Sequence, residues 1–164
     1  MVLEEWRREL PTADFTPVAV VGRVGRAAAL LDRGLNDVFA RHGLDRAAWD
    51  VLATLRRGGR PYLRTPTELA EAVMRSSGGM TRILDRMEAQ GLIERLPHPE
   101  DRRGLLVGLT PEGRRRYGAA GREHLANERR LVAALSAREQ EQLAGLLRTL
   151  LVSLEVTARE KVTT

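Results

Sequence analysis

The 164-residue sequence contains no cysteine, which excludes disulfides, thiolate metal sites and redox sensing by thiols, leaving methionine oxidation as the only sulfur chemistry. Lysine is almost missing as well: Lys161 is the only one, and the rest of the 27 basic residues are arginine. No stretch approaches the roughly 18 uninterrupted apolar residues of a membrane span. The opening segment MVLEEWRREL mixes acids with bases and lacks the apolar centre of an export signal, so a cytoplasmic protein is expected. Histidine is limited to His42, His98 and His124, and no phosphate-cradling glycine motif precedes a helix, so nothing assembles the nucleophile, base and oxyanion donors of an enzyme. His98 with Glu100 and Asp101 fits no familiar ligand spacing, and a solvated loop explains them better; no metal or cofactor is expected.

What the chain does have is positive charge, 27 basic residues against 22 acidic ones for a net +5. Codon bias explains an arginine excess as readily as a polyanionic partner does. Position is more informative than the total: Arg56, Arg57, Arg60 and Arg64 fall close together with no acid between them.

Hydrophobic spacing predicts a mainly α protein with a small β-hairpin. Val21, Val24, Ala28, Leu31, Leu35 and Val38 recur in steps of three and four, which lines one face of a helix from about Pro17 to Arg41. His42-Gly43 ends it, and Asp45 caps a second helix bearing Trp49, Leu52 and Leu55, which Gly58-Gly59 stops. Thr65-Pro66-Thr67-Glu68 joins a capping box to a first-turn proline and predicts a short helix from Pro66 to Val73. Ser76 or Ser77 caps the next helix, whose Met80, Ile83, Leu84 and Met87 share a face until Gly91. Leu92 to Leu96 and Leu105 to Leu109 read as strands around a polar loop. Thr110-Pro111 opens a long helix to about Ala134, and a second capping box at Ser136 to Glu139 opens a last one with a broad leucine stripe.

Two short helices and a hairpin form the plan of a winged helix-turn-helix, in which the second helix enters the DNA major groove and the loop reaches the minor groove. A helix from Ser76 to Gln90 would run about 21 Å at ~1.5 Å per residue, enough to cross a groove roughly 12 Å wide. Thr81 and Arg82 point away from its apolar face. Arginine there can fork onto guanine or clamp a phosphate, and sequence leaves both open. Arg86 either contacts DNA or pairs locally with Asp85 or Glu88. Gly78-Gly79 permits close approach to phosphates or simply frays the first turn. Arg102 and Arg103 at the loop tip suit the minor groove. The long terminal helices carry more apolar surface than the small middle can cover, which favours packing against a second subunit over burial within one chain.

The run Asp101-Arg102-Arg103-Gly104-Leu105-Leu106-Val107-Gly108-Leu109-Thr110-Pro111-Glu112-Gly113 strongly resembles the wing signature D-x-R-x-x-x-V-x-L-T-x-x-G of the MarR family. Thr81 to Glu88 and Gly91 to Arg95 are similar to that family's recognition helix and first wing strand. Motif-level agreement spans about 65 to 113, and the likeness of layout nearly the whole chain. The resemblance implies a homodimeric transcriptional regulator of double-stranded DNA, a repressor before an activator, that binds a pseudo-palindromic operator with its recognition helices one DNA turn, ~34 Å, apart. It implies an N-terminal dimerisation region (1–43), a DNA-binding region (44–113) and C-terminal dimerisation helices (114–164) in one connected fold. By the same likeness Ser76, Ser77, Thr81, Arg82 and Arg86 serve the major groove, Arg103 with Arg102 the minor groove, and Asp101 pairs with an arginine to hold the wing. Gly78-Gly79 departs from the bulkier or hydroxylated residues of many members. A small aromatic or phenolic effector is also implied, with Trp49 and Arg56 as candidate lining residues, although a core position suits Trp49 better. A winged helix that meets an acidic protein instead of DNA is the competing reading.

Overall fold

The computed structural model describes residues 2–101 and 103–162. Its elements are helices α1 (Val2–Glu9), α2 (Thr16–Arg41) and α3 (Arg46–Arg57), strand β1 (Leu63–Arg64), helices α4 (Pro66–Ala72) and α5 (Ser77–Ala89), strands β2 (Ile93–Pro97) and β3 (Leu105–Leu109), and helices α6 (Pro111–Leu131) and α7 (Ala137–Val162). Contacts divide the chain into two units, Met1–Asn127 and Glu128–Thr164. Among the described residues, no helix is long and apolar enough to cross a membrane.

Local chemistry sets most of the boundaries. The Asp45 carboxylate accepts from the Ala48 N–H and starts α3, while Gly43 turns the preceding chain at φ +64°, a conformation that favours glycine. Thr65 and Glu68 form the reciprocal capping box of α4, and Ser76 accepts from the Gly79 N–H to start α5. Gly91 ends α5 at φ +66°. Ser136 and Glu139 repeat the capping box at the start of α7.

The hairpin expected from the sequence is one part of a three-stranded antiparallel sheet in the order β1-β3-β2. The two-residue β1 pairs Leu63 with Gly108 and Arg64 with Val107, and it is too short to show an alternation in sequence. Opposite Leu63, Gly108 leaves room for that side chain: a Cβ there would meet the leucine tip at 2.8 Å and turn it aside. The N-terminal α1 was likewise not expected from the sequence, where the segment was read only for an export signal.

One core joins α2 to the sheet. Phe39, Trp49, Leu52 and Leu55 pack with Leu69 of α4, Met80, Leu84 and Met87 of α5, and Leu92, Ile93, Val107 and Leu109 around the sheet. This burial fixes how α5 is presented, because its apolar face is anchored and its other face must look outward. By contrast Val18, Val21, Val24, Leu30 and Leu31 of α2 are exposed, as are Leu143, Leu146, Leu151 and Leu154 of α7.

Candidate nucleic-acid interface

The side chains of α5 divide cleanly. Met80, Leu84 and Met87 are buried and Ile83 is half-buried, whereas Ser77, Thr81, Arg82, Asp85 and Arg86 are exposed, as is the capping residue Ser76. Two hydroxyls are committed to the helix itself: Ser76 Oγ accepts from the Gly79 N–H, and Thr81 Oγ1 donates to the Ser77 carbonyl at 3.0 Å. Both keep a lone pair toward solvent.

The charges on α5 are less free than its exposure suggests. Arg95 of β2 reaches back to the helix, with Nη2 at 2.6 Å from Asp85 and Nη1 on the Glu88 carboxylate. Asp85 and Glu88 are therefore engaged from the sheet, and Arg86 pairs with neither. It turns instead to Asp45 at the start of α3, at 2.5 Å. Asp45 thus serves two groups, capping α3 through Oδ1 and holding Arg86 through Oδ2. Arg82 is exposed and, among the described residues, meets no carboxylate and makes no side-chain hydrogen bond.

Gly78 and Gly79 differ from each other. A Cβ at 78 would meet nothing within 4 Å, while one at 79 would press on Ser76 Oγ at 3.1 Å. Nothing in the chain itself requires glycine at 78. Arg75, in the turn that leads from α4 into the Ser76 cap, is another exposed arginine, and the sequence reading missed it. Its place immediately before a capping serine is the signal that would have found it.

At the wing tip the chain doubles back through a hydrogen-bonded turn. Asp101 Oδ1 accepts from the Arg103 N–H at 2.9 Å, the Gly104 N–H donates to the Asp101 carbonyl, and the His98 N–H donates to the Gly104 carbonyl. Asp101 therefore shapes the wing by holding backbone, and among the described residues, which leave out Arg102, no arginine side chain pairs with it. A short carboxylate two residues before an N–H is the geometry of an Asx turn, and it satisfies that acid locally. Arg103 is exposed at the tip, and Arg102 lies outside the described residues.

Trp49 and Arg56 do not share a cleft. The Trp49 ring lies between Phe39, with centroids 4.9 Å apart, and Tyr117, at 4.7 Å, with His124 at 4.6 Å, and the residue is only 7% exposed. It is a core aromatic, because both its faces are stacked. Arg56 is exposed and stacks over the Tyr62 ring.

A buried three-helix core that presents α5, beside a sheet whose loop projects with an exposed arginine, is the architecture of a winged helix-turn-helix. Comparison with known proteins agrees. The MarR family model matches residues 42–104. The transcriptional regulator PecS of Dickeya dadantii is 37% identical over 146 residues, 89% of this chain and 88% of that protein. The multiple antibiotic resistance protein MarR of Salmonella typhimurium is 42% identical over 82 residues, 50% of this chain and 55% of its own length. Among solved structures, a mutant MarR from Escherichia coli complexed with operator DNA superposes with a TM-score of 0.75 at 31% identity, covering 85% of this chain and 99% of that one. The chain belongs to the MarR family of transcriptional regulators.

Proposed function

We propose that the protein is a homodimer that binds a pseudo-palindromic operator in double-stranded DNA and represses transcription until a small aromatic or phenolic ligand releases it. The observation that carries the DNA reading is the unpaired Arg82 guanidinium on the open face of a helix whose opposite face is locked into the core. In this reading Thr81 and Arg82 face base edges, and Ser76, Ser77 and Arg75 flank them toward phosphates. Arg86 is held by Asp45 and orients the helix unless DNA draws it away. Arg103 follows the minor groove. The similarity to an operator-bound MarR supports the same placement. The exposed valine and leucine faces of α2 and α7 support dimerisation, since a lone soluble chain rarely leaves such stripes in water.

The test is selection of bound duplexes from a random pool, followed by titration of the selected site against salt. An inverted repeat should emerge, and binding should weaken linearly in log salt through counterion release. Arg82→Ala should lose about 1–3 kcal/mol on the selected site and little on random DNA, whereas Arg103→Ala should lower the salt slope by about 1. Failure to enrich any repeat would count against the regulator reading. Release of the bound duplex by aromatic acids or phenols tests the effector, and a promoter reporter separates repression from activation.

A further inference from the structure

A second basic feature has no part in the recognition surface. The C-terminal end of α3, the loop before β1 and the first turn of α6 enclose a cleft of about 410 Å³, lined by Arg56, Arg60, Pro61, Tyr62 and Arg114. That volume lies within the range of roughly 300–1,000 Å³ typical of small-molecule sites. The lining holds three guanidinium groups and no acid, and among the described residues none of the three has a carboxylate partner.

Two of these cations are held in place. Arg56 lies 4.8 Å over the Tyr62 ring and donates to the Tyr62 hydroxyl. Arg114 Nη1 donates to the Leu109 carbonyl at 2.9 Å, which leaves its other donors open. Tyr62 itself adopts φ 65°, a left-handed conformation unfavourable for a bulky residue. The Tyr62 N–H bond to the Gly59 carbonyl at 2.7 Å and packing of the ring against the core keep it there. A glycine or asparagine would meet the backbone requirement with less strain. Backbone strain at a residue whose side chain also positions an arginine points to a role beyond stability. Three cations gathered without an acid repel one another, so the empty cleft is electrostatically unfavourable and an anionic occupant relieves it.

We propose that this cleft binds a phosphate-bearing ligand. A single carboxylate satisfies one guanidinium fork; a phosphate or diphosphate carries enough charge and enough acceptor oxygens for arginines offered from three separate elements. Pro61 and Tyr62 add flat walls for an attached planar group. The phosphate belongs either to a free nucleotide or to the backbone of a duplex that extends past the recognition helix.

The experiment is calorimetric titration of the full-length protein with ATP and with pyrophosphate, at low salt and without divalent metal, for wild type, Arg60→Ala, Arg114→Ala and the double variant. Both arginines are exposed, so the variants should keep the wild-type melting curve. Each single change should weaken binding about tenfold or more, the value of a charge-assisted hydrogen bond, while Arg82→Ala leaves it unchanged. A parallel arm compares operator duplexes with and without flanking base pairs. A gain from the flanks that disappears in the double variant assigns the phosphate to DNA; nucleotide binding without such a gain assigns it to a metabolite. The proposal is overturned if neither anion nor flanking DNA distinguishes wild type from the double variant, or if anion binding is lost in Arg82→Ala instead. The nucleotide arm does not require operator binding, so failure of the regulator reading would leave it decisive.

Discussion

Two glycines in one helix should respond to alanine with opposite signs. Helix propensity alone favours both substitutions, by up to about 1 kcal/mol each. Gly118 of α6 has nothing within 4 Å of an added Cβ, so Gly118→Ala should stabilise the protein by about 0.5–1 kcal/mol. At Gly113 a Cβ would stand 3.0 Å from the Leu92 carbonyl carbon and nearer still to its oxygen, well inside the ~3.5 Å at which carbon atoms pack. Neither partner can yield easily. The Leu92 carbonyl accepts from the Thr110 N–H, the Thr110 hydroxyl donates to the neighbouring Gly91 carbonyl at 2.7 Å, and Thr110 Oγ1 in turn accepts from the Gly113 N–H at 2.9 Å. Forcing the first turn of α6 away from β2 costs about 1–3 kcal/mol of overpacking and about 1 kcal/mol for the displaced threonine cap. Net of propensity, Gly113→Ala should lose about 1–3 kcal/mol. Urea unfolding at equal protein concentration reads both variants, and concentration must match because association shifts apparent stability. A Gly113→Ala protein as stable as Gly118→Ala would refute the steric argument and reduce the glycine of the wing signature to a helix-start preference.

Three further outcomes are expected. Glu68, Glu112, Glu123 and Glu139 all titrate below their ordinary value of 4.5: Glu68 because the Thr65 N–H and hydroxyl bind its carboxylate, Glu112 through Arg115 and Arg116, Glu123 through Arg41 and His42, and Glu139 through Ser136. Depressed carboxylates stabilise fully above the unfolded value and lose that contribution as pH falls through the folded one, so stability should drop below about pH 4.5, less steeply in Glu68→Gln than in wild type. Asp45→Ala loses both the cap and the Arg86 pair and should cost about 1–2 kcal/mol, whereas Asp45→Asn keeps the cap and loses only the half-exposed Arg86 pair, at most about 1 kcal/mol after solvent screening; chemical denaturation should find the alanine variant less stable by about the value of the cap. Arg95→Ala should weaken DNA binding by up to about twofold, because it removes one positive charge that offsets the two carboxylates at a distance of ~10 Å from phosphate, worth roughly 0.4 kcal/mol in water before salt screening. Adding Asp85→Asn and Glu88→Gln in the same chain should restore affinity in a filter-binding assay, and no restoration would mean that Arg95 acts through helix position instead.

The fold was legible wherever a boundary is written in local chemistry. Asp45, Thr65 with Glu68, Ser76, Thr110 and Ser136 all cap the helices expected of them, because a cap depends on three or four consecutive residues. β1 was not legible, since two residues cannot display an alternation and its partner lies more than forty positions away. The site divides the same way. That Arg82 points outward follows from the spacing of Met80, Leu84 and Met87, which needs only helical geometry. That Arg86 turns to Asp45, and that Arg95 takes both Asp85 and Glu88, follows from packing α5 between α3 and β2, which no local window contains.

Those long-range pairs determine what α5 presents. In sequence α5 is electrically neutral, with Arg82 and Arg86 set against Asp85 and Glu88. A neutral helix offers little to a polyanion, and its two acids would repel phosphate. In the fold, Arg95 binds both acids from behind and offsets one of their two charges, and Asp45 neutralises Arg86 from the side, which leaves Arg82 as the helix arginine without a carboxylate partner among the described residues. The same pairs tie α5 to the two elements on which it rests, so orientation and charge selection come from one set of contacts. Specific reading favours such an arrangement: one positioned guanidinium discriminates between bases, while a row of free arginines would bind any duplex by counterion release alone.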